Sequence, residues 1–261
     1  MLFVDCPLYK YYDVMKALYF GDTNVGNVRS WNEDRFVLSE VWGGRSLLGV
    51  VIDGVGGDGN GHGRLAAERV AEYITKYFED CEYNSKSMDV LQAAVINANN
   101  FICGFLLKGM KCVLSAVLID LETGSVDVVH CGDSRVYTFK DGVLCKKTVD
   151  DSVVSCLEDS GRITEYEAMR HPQRNVITRC IGSELLQFGT DYIHTYTFQA
   201  EPSSSLLICS DGLYDMVHSS QMTLILNTLL SVEERVGKLI DAALKAGGRD
   251  NVTVIIIDLL E

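Results

Sequence analysis

Proline is scarce in this chain, at three residues in 261, and no low-complexity tract accompanies it. That excludes a stiff proline-rich linker and argues against a disordered tail. Long hydrophobic runs are missing too, since no window approaches the roughly 18 uninterrupted apolar residues of a membrane-spanning helix. Residues 1–20 are apolar and aromatic but are broken by Asp5, Lys10, Asp13 and Lys16. They lack the basic start and continuous apolar core of a signal peptide, so a soluble protein is expected. Paired cysteine motifs are absent: the nine cysteines include no C-x-x-C spacing, which excludes a zinc ribbon and a thioredoxin-like site. An odd cysteine count without a secretion signal reads as reduced thiols in a cytoplasm, with Cys131 and Cys209 as small core residues. Basic residues are in deficit, 23 against 36 acidic, for a formal charge of −13. No basic stripe offers itself to phosphate backbones, so neither nucleic acid nor membrane is an expected partner.

What is present is 47% hydrophobic and 23% charged, the make-up of an ordinary globular domain without solenoid repeats. The chain is organised around Leu47-Leu48-Gly49-Val50-Val51-Ile52-Asp53-Gly54-Val55-Gly56-Gly57. The apolar run predicts a strand buried on both faces that ends on a carboxylate and a glycine-rich turn. One Asp-Gly at a strand end is ordinarily a turn. Here the pattern repeats: Ser205–Ser210 runs into Asp211-Gly212, Val126–Gly132 into Asp133-Ser134-Arg135, and Asp250-Asn251 precedes Val252–Ile257. A sheet could gather four such acids at one end, where a divalent cation would offset their charge. Oxygen donors without a suitable His or Cys set suit Mg²⁺ or Mn²⁺ rather than zinc.

Taken in order, residues 1–25 form an entry segment without an assigned role, and Arg29 lies just upstream of the acidic pair Glu33-Asp34. The Asp58–Gly63 loop carries neither a P-loop nor a dinucleotide-binding pattern. Helical periodicity covers Arg64–Asp80 and about Met88–Leu107. Strands at Ser115–Leu121, Val126–Cys131, Arg135–Lys140 and Val143–Thr148, joined by tight turns, predict an antiparallel meander. Residues 150–190 are polar and irregular, with a short helix near Thr164–Arg170, and a segment of that kind is usually functional. Strands at Ile193–Phe198 and Leu206–Cys209, helices near Ser219–Leu230 and Val232–Ala246, and a last strand complete the chain. Sheets covered on their outer faces by helices are expected.

Asn32-Glu33-Asp34, Asp53-Gly54-Val55-Gly56-Gly57, Gly132-Asp133-Ser134-Arg135, Ser210-Asp211-Gly212-Leu213 and Asp250-Asn251-Val252-Thr253 stand in this order. In that order they resemble the metal-dependent protein phosphatases, the protein phosphatase 2C-like family in its compact bacterial form, over about residues 24–258. Gly161–Thr164 and His171-Pro172-Gln173-Arg174-Asn175 through Gly182 resemble that family's flap. The resemblance implies an α+β fold, a four-layer α-β-β-α sandwich of two antiparallel sheets, with residues 26–261 as the catalytic domain and a flap at about 150–190. It implies hydrolysis of phosphoserine and phosphothreonine proteins, the targets of a cognate kinase, by a cytoplasmic monomer. By position, Asp53 would bridge two Mn²⁺ or Mg²⁺ ions and the Gly54 carbonyl would bind one of them. Asp211 and Asp250 would complete the first ion's ligands, Glu33 and Asp34 would act through bound water, and Asp133 with Asp211 would hold a third ion. Arg29 matches the phosphate-gripping arginine. Two positions depart from the pattern: Val55 stands where animal members have a histidine proposed as general acid, and Asp151 replaces a histidine common at the start of the flap. A pseudophosphatase or regulatory binding module of the same fold is the alternative, which loss of a metal-bridging Asp would favour, and none is lost. A thiol-dependent phosphatase is the rival chemistry, suggested by the C-x₅-R spacing of Cys156 and Arg162. There Glu158 and Asp159 would repel a phosphate dianion, and Val153, Val154 and Leu157 read as a short helix.

Overall fold

The computed structural model describes residues 15–56, 62–105 and 109–260. Residues 1–14, most of the glycine-rich loop after Gly56 and the predicted end of the second helix at Leu107 therefore lie outside the described residues. Ten strands form two five-stranded antiparallel sheets. The first has the order β1 (Lys16–Asn24), β10 (Val252–Leu260), β9 (Ser204–Cys209), β6 (Arg135–Lys140) and β7 (Val143–Lys146). The second has the order β2 (Arg35–Val41), β3 (Ser46–Gly54), β4 (Cys112–Asp120), β5 (Ser125–Cys131) and β8 (His194–Gln199).

The unbroken apolar run of β3 is explained by its two faces. Leu47 and Val51 point between the sheets, where they meet Val117, Val128, Leu206, Ile208, Ile255 and Ile257. Leu48, Val50 and Ile52 point outward against α1 (His62–Asp80) and α2 (Ser87–Cys103), onto Val70, Ile74, Leu91 and Val95. The other sheet is covered by α5 (Asp211–Tyr214), α6 (Ser219–Leu226) and α7 (Val232–Lys245), with Leu213, Met222, Val236 and Leu239 packed on Leu207 and Ile256. Each such side chain contributes about 1.5–3 kcal/mol on burial, and three apolar layers separate four structural ones. The α-β-β-α sandwich expected from the sequence is the fold observed.

Two expectations are corrected. The four-strand meander is divided between the sheets: β4 and β5 pair in one, β6 and β7 in the other. The chain changes sheet at Gly132, whose φ of +107° is open to glycine and whose Cβ, if present, would lie 2.1 Å from a Val113 methyl carbon. The second helix ends at Cys103, before Gly104, rather than near Leu107. Within the entry segment, residues 16–24 form β1, which pairs with the whole of β10 from Lys16 opposite Leu260 to Asn24 opposite Val252. Elsewhere, α3 (Val153–Asp159) and α4 (Glu165–Ala168) are the only helices of the flap among the described residues.

Gly54 sets the distance between β3 and α1. A Cβ there would sit 2.5 Å from the Gly63 carbonyl carbon and oxygen and 2.8 Å from the Glu33 carbonyl. All three contacts are backbone, so no side chain can turn away. Gly54→Ala is expected to lower the unfolding free energy by about 1–3 kcal/mol, read from the urea midpoint. An unchanged midpoint would mean that the helix slides without cost.

Candidate metal centre

The acids converge because strands of both sheets end at one place. Asp53 closes β3 and Asp133 follows β5 in the second sheet, while Asp211 follows β9 and Asp250 precedes β10 in the first. Asp53, Gly54, Asp133, Asp211 and Asp250 line one cavity of about 90 Å³, together with Arg29, Glu33 and Val55. Flap residues Asn175 and Ile177 complete its wall with Gly56, Val113 and Asn251. Of the residues singled out in the sequence, Asp34 alone does not line it. Its carboxylate is buried one layer behind, where Oδ2 accepts Ser210 Oγ at 2.8 Å and Thr253 Oγ1 at 2.7 Å.

The electrostatics of the cavity are those of anions short of cations. Burial, and then the charges of Asp34, Asp211, Asp133 and Asp250, raise Asp53 well above the usual carboxylate range. Asp211 is raised likewise, by burial and by Asp133, Asp215 and Asp250. Burial raises Asp133 to about 7, with Asp150 and Asp215 adding to it and Arg135 opposing. Asp34 is raised to about 6 by burial, against the two hydroxyls that favour its charged form. No three His, Cys, Asp or Glu side chains among the described residues are gathered at metal-binding spacing. The carboxylates line the cavity without closing into a shell, and Asp250 instead accepts a hydrogen bond from Arg29 Nη2 at 2.7 Å. The donor set nonetheless fits a hard divalent ion: oxygen ligands only, several carboxylates in excess, and a backbone carbonyl held open by Gly54.

Two supports were not assigned a role from the sequence. Asn251 is buried and staples the Val25–Asp34 loop over the site: its amide donates to the carbonyls of Val25 and Trp31, both at 2.9 Å, and its side-chain oxygen accepts Glu33 N–H at 2.8 Å. Asp151 is the root of the flap. Its Oδ2 accepts Gly132 N–H at 3.0 Å, its Oδ1 lies 2.9 Å from His194 Nε2 and 3.7 Å from Arg179, and its carbonyl accepts Thr178 N–H at 2.7 Å. One residue thus ties residues 178 and 179 of the flap to the turn that carries Asp133. The far end of the flap is held by α2, where Asn99 and Asn100 accept Gly182 N–H and Leu186 N–H, each at 2.8 Å. The sequence signal for these pairings is weak, because the partners lie 19 to 226 residues apart.

The thiol rival finds no support. Cys156 sits exposed within α3, a helix capped by Ser152, instead of a loop of converging amides. Val55 lines the cavity but carries no proton to give.

Two measurements test this frame. Asp151→Ala should raise amide hydrogen exchange over residues 176–181 while leaving α7 protected, with a stability cost of about 1–3 kcal/mol; unchanged exchange there would deny the clamp. His130, buried beneath the flap root, lies 3.0 Å from Ser115 Oγ through Nδ1 and 3.1 Å from the Val149 carbonyl through Nε2. Burial lowers it from 6.5 to about 4, so between those values the unfolded chain binds the extra proton and stability rises with pH. His130→Gln should remove up to about 1.4 kcal/mol per pH unit of that slope, measured by urea unfolding across the window; an identical slope in both proteins would contradict it.

The sequence profile of the protein phosphatase 2C family matches residues 27–246. Serine/threonine protein phosphatase PstP of Mycobacterium tuberculosis is 35% identical over 93% of this chain, which spans 45% of that relative's length. Serine/threonine phosphatase stp of Listeria monocytogenes is 29% identical over 90% of this chain and 93% of its own. The crystal structure of the PstP catalytic domain in complex with two manganese ions superposes with a TM-score of 0.78 at 30% identity, covering 95% of this chain and 100% of that one.

Proposed function

Because the chain belongs to the protein phosphatase 2C family, we propose that it is a metal-dependent serine/threonine protein phosphatase. The observation that carries this reading is the cavity in which Asp53, Asp211, Asp250 and the Gly54 carbonyl meet beside Arg29. Those four donors would hold two ions, Mn²⁺ or Mg²⁺, with Glu33 and Asp34 acting through water and Asp133 with Asp211 holding a third. Ions so bound supply a nucleophilic water at neutral pH and offset charge on the phosphoryl oxygens.

The remaining work falls to the chain itself. Arg29 spends one nitrogen on Asp250 and keeps the rest of its planar fork for a phosphate at the cavity mouth. Asp250 in turn keeps that guanidinium from swinging into solvent. Asp34, fixed by Ser210 and Thr253, holds the Glu33 loop against the ends of β9 and β10. Ile177 and Val113 bring apolar surface to the rim, which limits bulk water. Val55 leaves the departing alkoxide to take its proton from solvent.

Phosphoserine and phosphothreonine proteins, the products of a serine/threonine kinase, are the substrates this assigns. No helix among the described residues is long and apolar enough to cross a membrane. The thiols of the eight described cysteines are free, which suits a reducing cytoplasm.

The test is hydrolysis of p-nitrophenyl phosphate and of a phosphothreonine peptide after dialysis against chelator. Turnover should vanish and return with Mn²⁺. Asp53→Asn should lose more than about 100-fold in kcat, beyond the cost of an outer-shell change. Full turnover by protein shown to be metal-free would overturn the proposal.

A further inference from the structure

Beside the acidic cavity lies a second one of about 130 Å³ with a different character. Its walls are Met169 and Arg170 from the flap, Asp215 and Met216 from the end of α5, and Ala246 and Arg249 from the turn between α7 and β10. The two cavities are contiguous along the chain: Arg249 precedes Asp250, and Asp215 is ion-paired at 3.2 Å with Arg174, the neighbour of Asn175.

In a chain of formal charge −13, the two arginines stand out. Neither forms a salt bridge among the described residues, although both are exposed. The one acid in the wall, Asp215, already has Arg174 as its counter-ion. Nor is Arg170 free to wander. Its guanidinium stacks 3.5 Å from the centroid of the Tyr166 ring and Nη1 donates to the Tyr166 carbonyl at 3.3 Å. Arg249 stands on an anchored turn, since Asn27 donates to the Gly248 carbonyl at 2.7 Å and to the Leu244 carbonyl at 2.8 Å. Two arginines lining one small cavity, one held by its ring contact and the other on an anchored turn, form an anion receptor.

We propose that this cavity is a subsite for an acidic side chain, carboxylate or phosphate, lying within about three residues of the phosphoserine or phosphothreonine. The proposal rests on the phosphatase reading of the neighbouring cavity. Adjacent Cα atoms are about 3.8 Å apart and an extended peptide advances about 3.3 Å per residue. A peptide with its phosphate beside Asp250 therefore brings a near neighbour over Arg249. Without such a receptor, the negative charge of the enzyme would turn acidic phosphopeptides away. With it, they become the preferred class.

The experiment compares phosphothreonine peptides that carry glutamate or alanine within three residues on either side, with p-nitrophenyl phosphate as a substrate too small to reach the subsite. Wild type with Mn²⁺ should prefer an acidic peptide in kcat/KM by about 10-fold, the sum of two solvent-facing charge pairs, and lose most of that preference in 0.5 M salt, as roughly follows from the shorter screening length. Arg170→Ala combined with Arg249→Ala should abolish the preference through KM while leaving p-nitrophenyl phosphate turnover and the unfolding midpoint unchanged. Equal kcat/KM for acidic and neutral peptides in wild type, or a preference that survives in the double variant, overturns the subsite. Fluorescence anisotropy with the same peptides reads the subsite without turnover. If wild type hydrolyses nothing, the phosphatase reading fails, and the subsite still stands or falls on whether the double variant loses tighter binding of the acidic peptide.

Discussion

Mutual repulsion among buried carboxylates is the constraint on which the rest of this structure depends. Asp53, Asp133 and Asp211 are all raised in pKa, first by burial and then by neighbouring carboxylates. A fold that gathers such groups gives up stability unless a cation offsets them. Nearby cations are few and already committed: Arg29 to Asp250, Arg135 to Asp150, Arg174 to Asp215. Of these three arginines only Arg29 lines the cavity, whose other charged lining is acidic. That excess of carboxylates is what a site for divalent ions requires and what a purely structural ion-pair network would avoid.

The means of gathering them is a change of sheet. Between Cys131 and Arg135 the chain leaves one sheet and enters the other through Gly132. That crossing sets Asp133 at the seam, within reach of the ends of β3, β9 and β10. Asp151 then fastens the flap to the same turn through Gly132 N–H. At the position where the resemblance leads one to expect a histidine, Asp151 lies 2.9 Å from the imidazole of His194 on β8. Flap, turn and Asp133 form one mechanical unit, so a change at the flap root reaches the site without touching it.

The same flap separates two electrostatic environments. On one side lie the acids, and on the other Arg170 and Arg249 face a cavity of their own. Placing opposite charges in adjacent cavities allows one peptide to be gripped at two points, with the phosphate at one and a flanking acid at the other. Recognition by charge at the rim costs little stability, because both arginines remain hydrated.

The sequence by itself determined what depends on local order. The apolar run of β3, the Asp-Gly that ends it and the repetition of that pattern located the strands and named the acids, because strand burial and turn chemistry are written within a few residues. The order of five motifs carried the family and with it the four layers. Tertiary structure alone decided which sheet each strand joined, and the four-strand meander failed there, since turn residues fix the tightness of a turn and not the partner beyond it. It also decided that Asp34 stands behind the cavity, that Arg29 leans on Asp250, and that Asp151 meets His194 from 43 residues away. Partners so far apart leave no periodicity in the chain, because only the packed fold brings them within hydrogen-bond distance.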